Sequence, residues 1–149
     1  MSETRAVSTT LGYVLSLAIA TLLITGLIIA GGSYVETQRD QVIRDELTVV
    51  GQQLAADIER ADRLVRAGDT DSPVVVSVNQ TFSNSVTGST YTVGLDQSRS
   101  SVVLNTSRPE VSVRVGVTTE TDLSDSAVSG GTIRISYDAG DEHLEVQDV

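Results

Sequence analysis

The chain has 149 residues, with 20 acidic and 10 basic side chains and a net charge of −10 at neutral pH. It contains no cysteine, and all its basic residues are arginine, so disulfides and cysteine metal sites are excluded. A strongly acidic chain without lysine also lacks the cationic surface that nucleic acids and anionic lipid head groups require.

The first element is an apolar segment without charged side chains, which follows Arg5 and covers residues 6–35. As one helix it would be about 45 Å long, whereas a bilayer core needs only about 20 residues. The segment is therefore predicted to span a membrane. A cleaved secretory signal is the alternative, but such signals have an apolar stretch of only about 7–15 residues, and this stretch continues into a further helical pattern.

Small residues recur at helical spacing within the apolar segment. Gly12, Ser16 and Ala20 are four residues apart, and Gly26 and Ala30 form a second pair. This spacing allows membrane helices to approach each other closely, so the five positions are candidates for helix packing in an assembly. The general abundance of glycine in membrane helices is the alternative explanation.

The helical pattern continues through residues 36–68. Its apolar residues are separated by steps that are typical of an amphipathic helix, and they are Val42, Ile43, Leu47, Val50, Leu54, Ile58, Ala61, Leu64 and Val65. Charged residues, among them Asp62, are expected on the opposite face. Gly68 and Pro73 predict the end of the helix. A bend or loosened turn is expected at Gly31-Gly32, because each glycine costs about 1 kcal/mol in a helix interior.

Beyond Pro73 the apolar residues alternate with polar ones, which is typical of strands. Six strands are predicted, over residues 74–78, 91–95, 102–104, 111–117, 133–137 and 144–146. An antiparallel sheet is expected, with one face in water and the other covered by the amphipathic helix. The sequence thus predicts an α+β protein. Its long N-terminal helix is apolar over 7–35 and amphipathic over 36–68, and an antiparallel β domain follows over 73–149.

Residues that carry chemistry are few. The single histidine, His143, lies in a predicted strand, and no zinc-protease, phosphate-loop or serine–histidine motif is present. Acidic residues near the C-terminus lack the EF-hand pattern. We therefore expect no catalytic site, no metal and no cofactor, and a secreted enzyme is the alternative that this expectation opposes.

Two Asn-x-Ser/Thr sequons occur in the predicted β domain, at Asn79 and Asn105, both at or near predicted strand ends. They are candidate N-glycosylation sites if the domain lies outside the cytoplasm. A chain rich in serine and threonine also produces such sequons by chance.

The stretch "RAVSTTLGYVLSLAIATLLITGLIIAGG", which begins at Arg5, resembles the class III signal and N-terminal helix of archaeal type IV pilins and pilin-like proteins, especially haloarchaeal ones. In that family a membrane peptidase cuts after a basic residue and a small residue. The resemblance implies that Arg5 and Ala6 end a leader of residues 1–6 and that Val7 becomes the new N-terminus. The acidic, lysine-free composition agrees with a surface that stays hydrated at high salt, as in halophilic archaea, although an ordinary acidic protein could also lack lysine.

The resemblance implies a structural subunit of a surface filament that serves adhesion. The subunit would be anchored in the membrane with its N-terminus in the cytoplasm, cut by a prepilin peptidase, and packed by the assembly machinery with other copies and other pilins. Common haloarchaeal pilins have Ser-Pro after the cut, whereas this chain has Ser8-Thr9. Three kinds of protein therefore remain possible: a major pilin, a minor pilin, or a pilin-like protein that does not polymerise. The alternative from another class is a single-pass surface protein whose β domain binds a partner.

Overall fold

A computed structural model describes residues 3–68 and 75–149, with side chains from Thr10 onward. One long helix, α1 (Glu3–Ala67), precedes the strands. The described strands are β1 (Ser77–Thr81), β2 (Ser85–Val86), β3 (Ser89–Asp96), β4 (Ser101–Ser107), β5 (Glu110–Gly116), β6 (Asp122–Leu123), β7 (Ala127–Ser129), β8 (Thr132–Asp138) and β9 (His143–Asp148), and a short 3₁₀ helix covers Gln97–Arg99. The predicted α+β architecture is confirmed.

The chain divides into two compact units, Met1–Arg39 and Asp40–Val149. The first unit contains the apolar part of α1. The second contains the rest of α1 and the strands, and it holds the hydrophobic core.

The strands form two sheets, whereas the sequence predicts one. The first sheet has the order β1-β8-β9-β6, and the second has the order β2-β3-β4-β5 with β7 also paired to β3. The pairs are antiparallel except β6 and β9, which run parallel with Asp122 opposite His143 and Leu123 opposite Leu144. The antiparallel prediction therefore holds for every described pair but this one.

Several element boundaries differ from the prediction. Strand β1 begins at Ser77 rather than at residue 74, and the helix-ending turn predicted over 69–73 lies outside the described residues. Strands β2 and β7 lie outside the six stretches that the sequence predicts as strands. The β2–β3 hairpin turns through Thr87 and Gly88, which have φ values of 47° and 78°. Positive φ at both central residues is the geometry of a type I′ hairpin turn.

The amphipathic part of α1 covers the core of the second unit, as predicted. Its buried apolar residues are Ile43, Leu47, Leu54, Ala55, Ile58 and Ala61, and they form one cluster with strand residues such as Val93, Leu104, Ile133, Ile135 and Leu144. Two residues of the predicted apolar stripe are instead largely exposed, Val42 at 42% and Leu64 at 49%. The buried face is therefore narrower than the stripe read from the sequence.

Gly51 marks a close approach between α1 and the second sheet. It is buried, and a Cβ atom on it would lie 2.8 Å from both Leu104 Cδ1 and Val115 Cγ2. Leu104 is fully buried and has little space in which to move aside. A residue without a side chain is therefore required at this contact.

We expect Gly51→Leu to lower the free energy of unfolding by about 3 kcal/mol, because overpacking a dense core forces strained rotamers. The measurement is denaturant unfolding of the full chain in detergent micelles. The matched control is Ala56→Leu, which adds a leucine to an exposed position of the same helix. Equal unfolding midpoints for the two variants would contradict the close contact.

Asp62 is a buried carboxylate that ties the end of α1 to the segment before β6. Its side chain is 2% exposed; Oδ1 accepts from the Thr121 N–H at 2.9 Å, and Oδ2 accepts from Arg66 Nε at 3.1 Å. One turn earlier, Glu59 Oε1 accepts from the Thr118 N–H at 3.1 Å. The prediction that Asp62 lies on the solvent-facing side of α1 is wrong. A carboxylate can be buried when donors satisfy both of its oxygens.

We expect Asp62→Ala to cost about 1–3 kcal/mol of stability, because the Thr121 N–H loses its acceptor in a partly buried site. Asp62→Asn, which keeps one acceptor oxygen, should recover part of this loss. Thermal unfolding of the full chain in detergent measures both. The control is Asp148→Ala, which removes the same charge from an exposed position. An equal effect of Asp62→Ala and Asp148→Ala would refute the stabilising role of the Asp62–Thr121 hydrogen bond.

Asp96 organises the connection between β3 and β4. Its carboxylate accepts hydrogen bonds from the Ser98 hydroxyl at 2.6 Å and from the Arg99 N–H at 3.1 Å. The bond from Ser98, then a bond from the Arg99 guanidinium at 3.1 Å and the bond from the Arg99 N–H lower the pKa of Asp96 below its usual value. Since the folded pKa lies below the unfolded one, their stabilising effect is complete above the unfolded pKa and is lost as the pH falls through the lowered one.

Candidate membrane and assembly segment

The apolar part of α1 presents a continuous hydrophobic surface. Its large apolar side chains between Leu11 and Val35 are exposed, for example Leu22 at 73% and Leu27 at 72%. Removing one such side chain from water is worth about 1.5–3 kcal/mol, so leaving the whole surface in water would cost tens of kcal/mol. By length and composition this part of the helix is able to cross a membrane.

The small residues predicted for helix packing come together on one side of this helix. Because α1 is continuous from Glu3 to Ala67 and advances about 100° per residue, both groups fall within an arc of about 120°. They are Gly12, Ser16, Ala20, Gly26 and Ala30, and all are exposed. A Cβ atom on Gly12 or Gly26 would meet no atom within 4 Å. The large side chains of Ile19, Leu23 and Leu27 fall within the same arc and are also exposed, so the packing role of the small residues stays a prediction.

Four hydroxyl groups in and just after this segment are satisfied by the helix itself. Each donates to the carbonyl oxygen four residues earlier at 2.8–3.2 Å, and the donors are Thr21, Thr25, Ser33 and Thr37. These internal bonds remove the penalty for placing hydroxyls in an apolar environment. These four side chains are therefore compatible with lipid or with a packed helical core.

The predicted hinge and leader both fall on α1. The α-helix runs without interruption through Gly31 and Gly32, and a bend there stays a prediction. Arg5, Ala6 and Val7 belong to the first turns of α1, where the structure describes the backbone only. Their role as a cleavage site stays a prediction.

The two sequons lie on different sheets, Asn79 in β1 and Asn105 in β4. Both asparagines are exposed. Each lies two residues before the end of its strand, in agreement with the predicted position at or near a strand end. The register places Asn79 opposite Arg134 and Asn105 between Thr92 and Ser112.

Titratable residues in the described part of the β domain meet in ion pairs, such as Asp96 with Arg99 and Arg114, and not in a metal-binding cluster. Among the described residues no group of three or more histidine and acidic side chains could hold a metal ion. His143 pairs with Asp138 across the β8–β9 hairpin. Tyr91 is buried, and burial followed by the nearby Glu46 charge raises its pKa; its hydroxyl donates to the Ser83 carbonyl at 2.9 Å. This environment suits a structural tyrosine.

Comparison with known proteins places the chain in a family without assigning it an activity. No curated protein and no solved structure matches the chain. A family model described as "Family of unknown function (DUF7266)" matches residues 2–147. Because the match covers nearly the whole sequence, the protein belongs to the DUF7266 family.

Proposed function

We propose that the protein is a structural subunit of a type IV pilus-like surface filament. The observation that carries the proposal is the single helix α1, whose apolar first part is exposed while its later part is built into a folded β domain. Such a helix first anchors the subunit in the membrane and later becomes the core of an assembly.

The physical reason is the cost of exposing the apolar segment. A single helix of this kind cannot leave the bilayer by itself. It can leave when the helices of neighbouring copies replace the lipid around it. The face formed by Gly12, Ser16, Ala20, Gly26 and Ala30 allows close approach between these helices. Head-to-tail contacts that do not close into a ring then produce a filament.

The subunit enters the membrane with its N-terminus in the cytoplasm and its β domain outside. A prepilin peptidase removes residues 1–6, and the assembly machinery packs the mature chain with other copies and other pilins. The role is structural, in adhesion or surface attachment, and it needs no cofactor. Support comes from the leader-like residues Arg5 and Ala6, from the retained apolar segment and from the absence of a catalytic motif in the sequence.

The competing function is a single-pass surface protein whose β domain binds a partner without polymerising. Mechanical shearing of native cells distinguishes the two. A filament subunit should be released in fibres that sediment at high speed, carry the protein by immunogold electron microscopy and dissociate to monomers in detergent. Retention of all of the protein in the membrane fraction, extractable only as a monomer, would overturn the filament proposal and support the anchor.

A further inference from the structure

We propose that Asn105, and not Asn79, carries an N-linked glycan, and that the first sugar lies in a polar groove beside it. The inference rests on the extracytoplasmic position of the β domain in the proposed function. It does not depend on polymerisation.

The sequon at Asn79 is already engaged by the neighbouring strand β8. The side-chain carbonyl of Asn79 accepts a hydrogen bond from Arg134 Nε at 3.1 Å. The hydroxyl of Thr81, the third sequon residue, lies 3.3 Å from the Thr132 hydroxyl and shares a hydrogen bond with it. A glycan on this sequon would have to fit beside these cross-strand contacts, on an edge strand whose described partner is β8.

The sequon at Asn105 is free of such contacts within the described part of the chain. Asn105 and Ser107 are both exposed, whereas Thr106 between them is buried. Since side chains alternate along a strand, the carboxamide and the sequon hydroxyl project from the same outer face. Cross-strand neighbours of Asn105 are the small residues Thr92 and Ser112, both exposed, so the residues directly opposite Asn105 leave its amide uncovered.

A groove of about 320 Å³ adjoins this sequon. Its lining consists of Asn84, Thr90, Tyr91, Thr92, Asn105, Ser107, Ser129 and Gly130. Hydroxyl and amide groups can donate to and accept from the hydroxyls of a sugar ring. The aromatic residue of the lining, Tyr91, is only 3% exposed, whereas protein interfaces are enriched in aromatic residues and depleted in serine, so this face suits a covalently attached sugar better than a protein partner.

The covalent step needs a lipid phosphate-linked sugar and a transferase as co-reactants. The Nδ2 atom of Asn105 forms a bond to the anomeric carbon of the sugar, and the bond from that carbon to the phosphate oxygen breaks. The proton lost by the amide ends on the released lipid phosphate. The carboxamide remains an amide, and no oxidant or reductant is required.

Mass spectrometry of the protein from its native cell surface tests the assignment. We expect a glycan on the peptide that contains Asn105 and none on the peptide that contains Asn79. The matched variants are Asn105→Gln, which should lose the glycan mass entirely, and Asn79→Gln, which should keep the wild-type glycan. A glycan on Asn79, on both sites or on neither would overturn the assignment.

The groove is tested with Thr92→Trp, which fills it, and with Ser77→Trp, which adds the same side chain to an exposed position on the other sheet. We expect the first variant to lower glycan occupancy at Asn105 several-fold and the second to leave it unchanged. Unchanged occupancy in both would overturn the groove as the sugar site. The same spectra report whether residues 1–6 are present. An unglycosylated chain without its leader therefore contradicts the glycan alone, and a chain with its leader contradicts the proposed function.

Discussion

An Ala6→Leu variant should keep residues 1–6 and form no surface filaments. Under the proposed function, a prepilin peptidase accepts only a small side chain immediately before the cut, and Ala6 supplies that side chain. A retained leader leaves charged residues, Glu3 and Arg5 among them, in front of the apolar segment. Burying those charges in a helical core costs several kcal/mol for each ion. Intact mass of the membrane-bound protein and electron microscopy of sheared material measure the two effects.

The control for this variant is Thr4→Leu, which adds a leucine two residues before the proposed cleavage position. It should be processed and assembled like the wild-type chain. Filaments built from an unprocessed Ala6→Leu chain would show that the cleavage assignment is wrong. Normal removal of the leader from Ala6→Leu would do the same.

Gly26→Leu and Ala30→Leu should each reduce filament assembly at least tenfold while leaving membrane insertion unchanged. Both positions belong to the small-residue face, which is formed by Gly12, Ser16, Ala20, Gly26 and Ala30. A leucine there would push the neighbouring helix away and remove close van der Waals contacts. A more apolar segment should insert into lipid as well as before. Quantitative immunoblots of sheared and membrane fractions measure assembly and insertion separately.

Ala18→Leu is the matched control, since it makes the same change as Ala30→Leu outside the small-residue arc. Ala18 is equally exposed in the isolated chain. Equal filament yields from Ala18→Leu and Ala30→Leu would refute a specific packing role for that face. A loss of membrane insertion in either variant would show instead that the segment tolerates no enlargement.

The helix and the larger strands could be predicted from the sequence because their signals are local. The apolar steps from Ile43 to Ala61 describe the buried face of α1, and alternation over 111–117 and 133–137 locates β5 and β8. Strands β2, β6 and β7 have only two or three residues each. A period of two cannot be recognised over such lengths. Strand β2 is held by its hairpin with β3, whereas β6 and β7 owe their structure to pairing with distant strands.

The organisation of the sheets and the role of Asp62 were beyond the sequence for a different reason. The division into two sheets and the parallel pair β6–β9 depend on long-range contacts that no local pattern encodes. Asp62 reads as a surface charge because its hydrogen-bond donor, the Thr121 N–H, is 59 residues away in the chain. The difference between the two sequons also appears only in the fold, since Arg134 contacts Asn79 across strands.

The most direct test of the central claim is the intact mass of the protein released from native cells by shearing. We expect a chain of residues 7–149, with any glycan as a separate increment, recovered in fibres that need detergent to dissociate. That result would mean that the apolar helix is retained and sheltered by other copies. A soluble monomer that begins beyond Gly32 would contradict the claim, because the segment would then have served only as a signal.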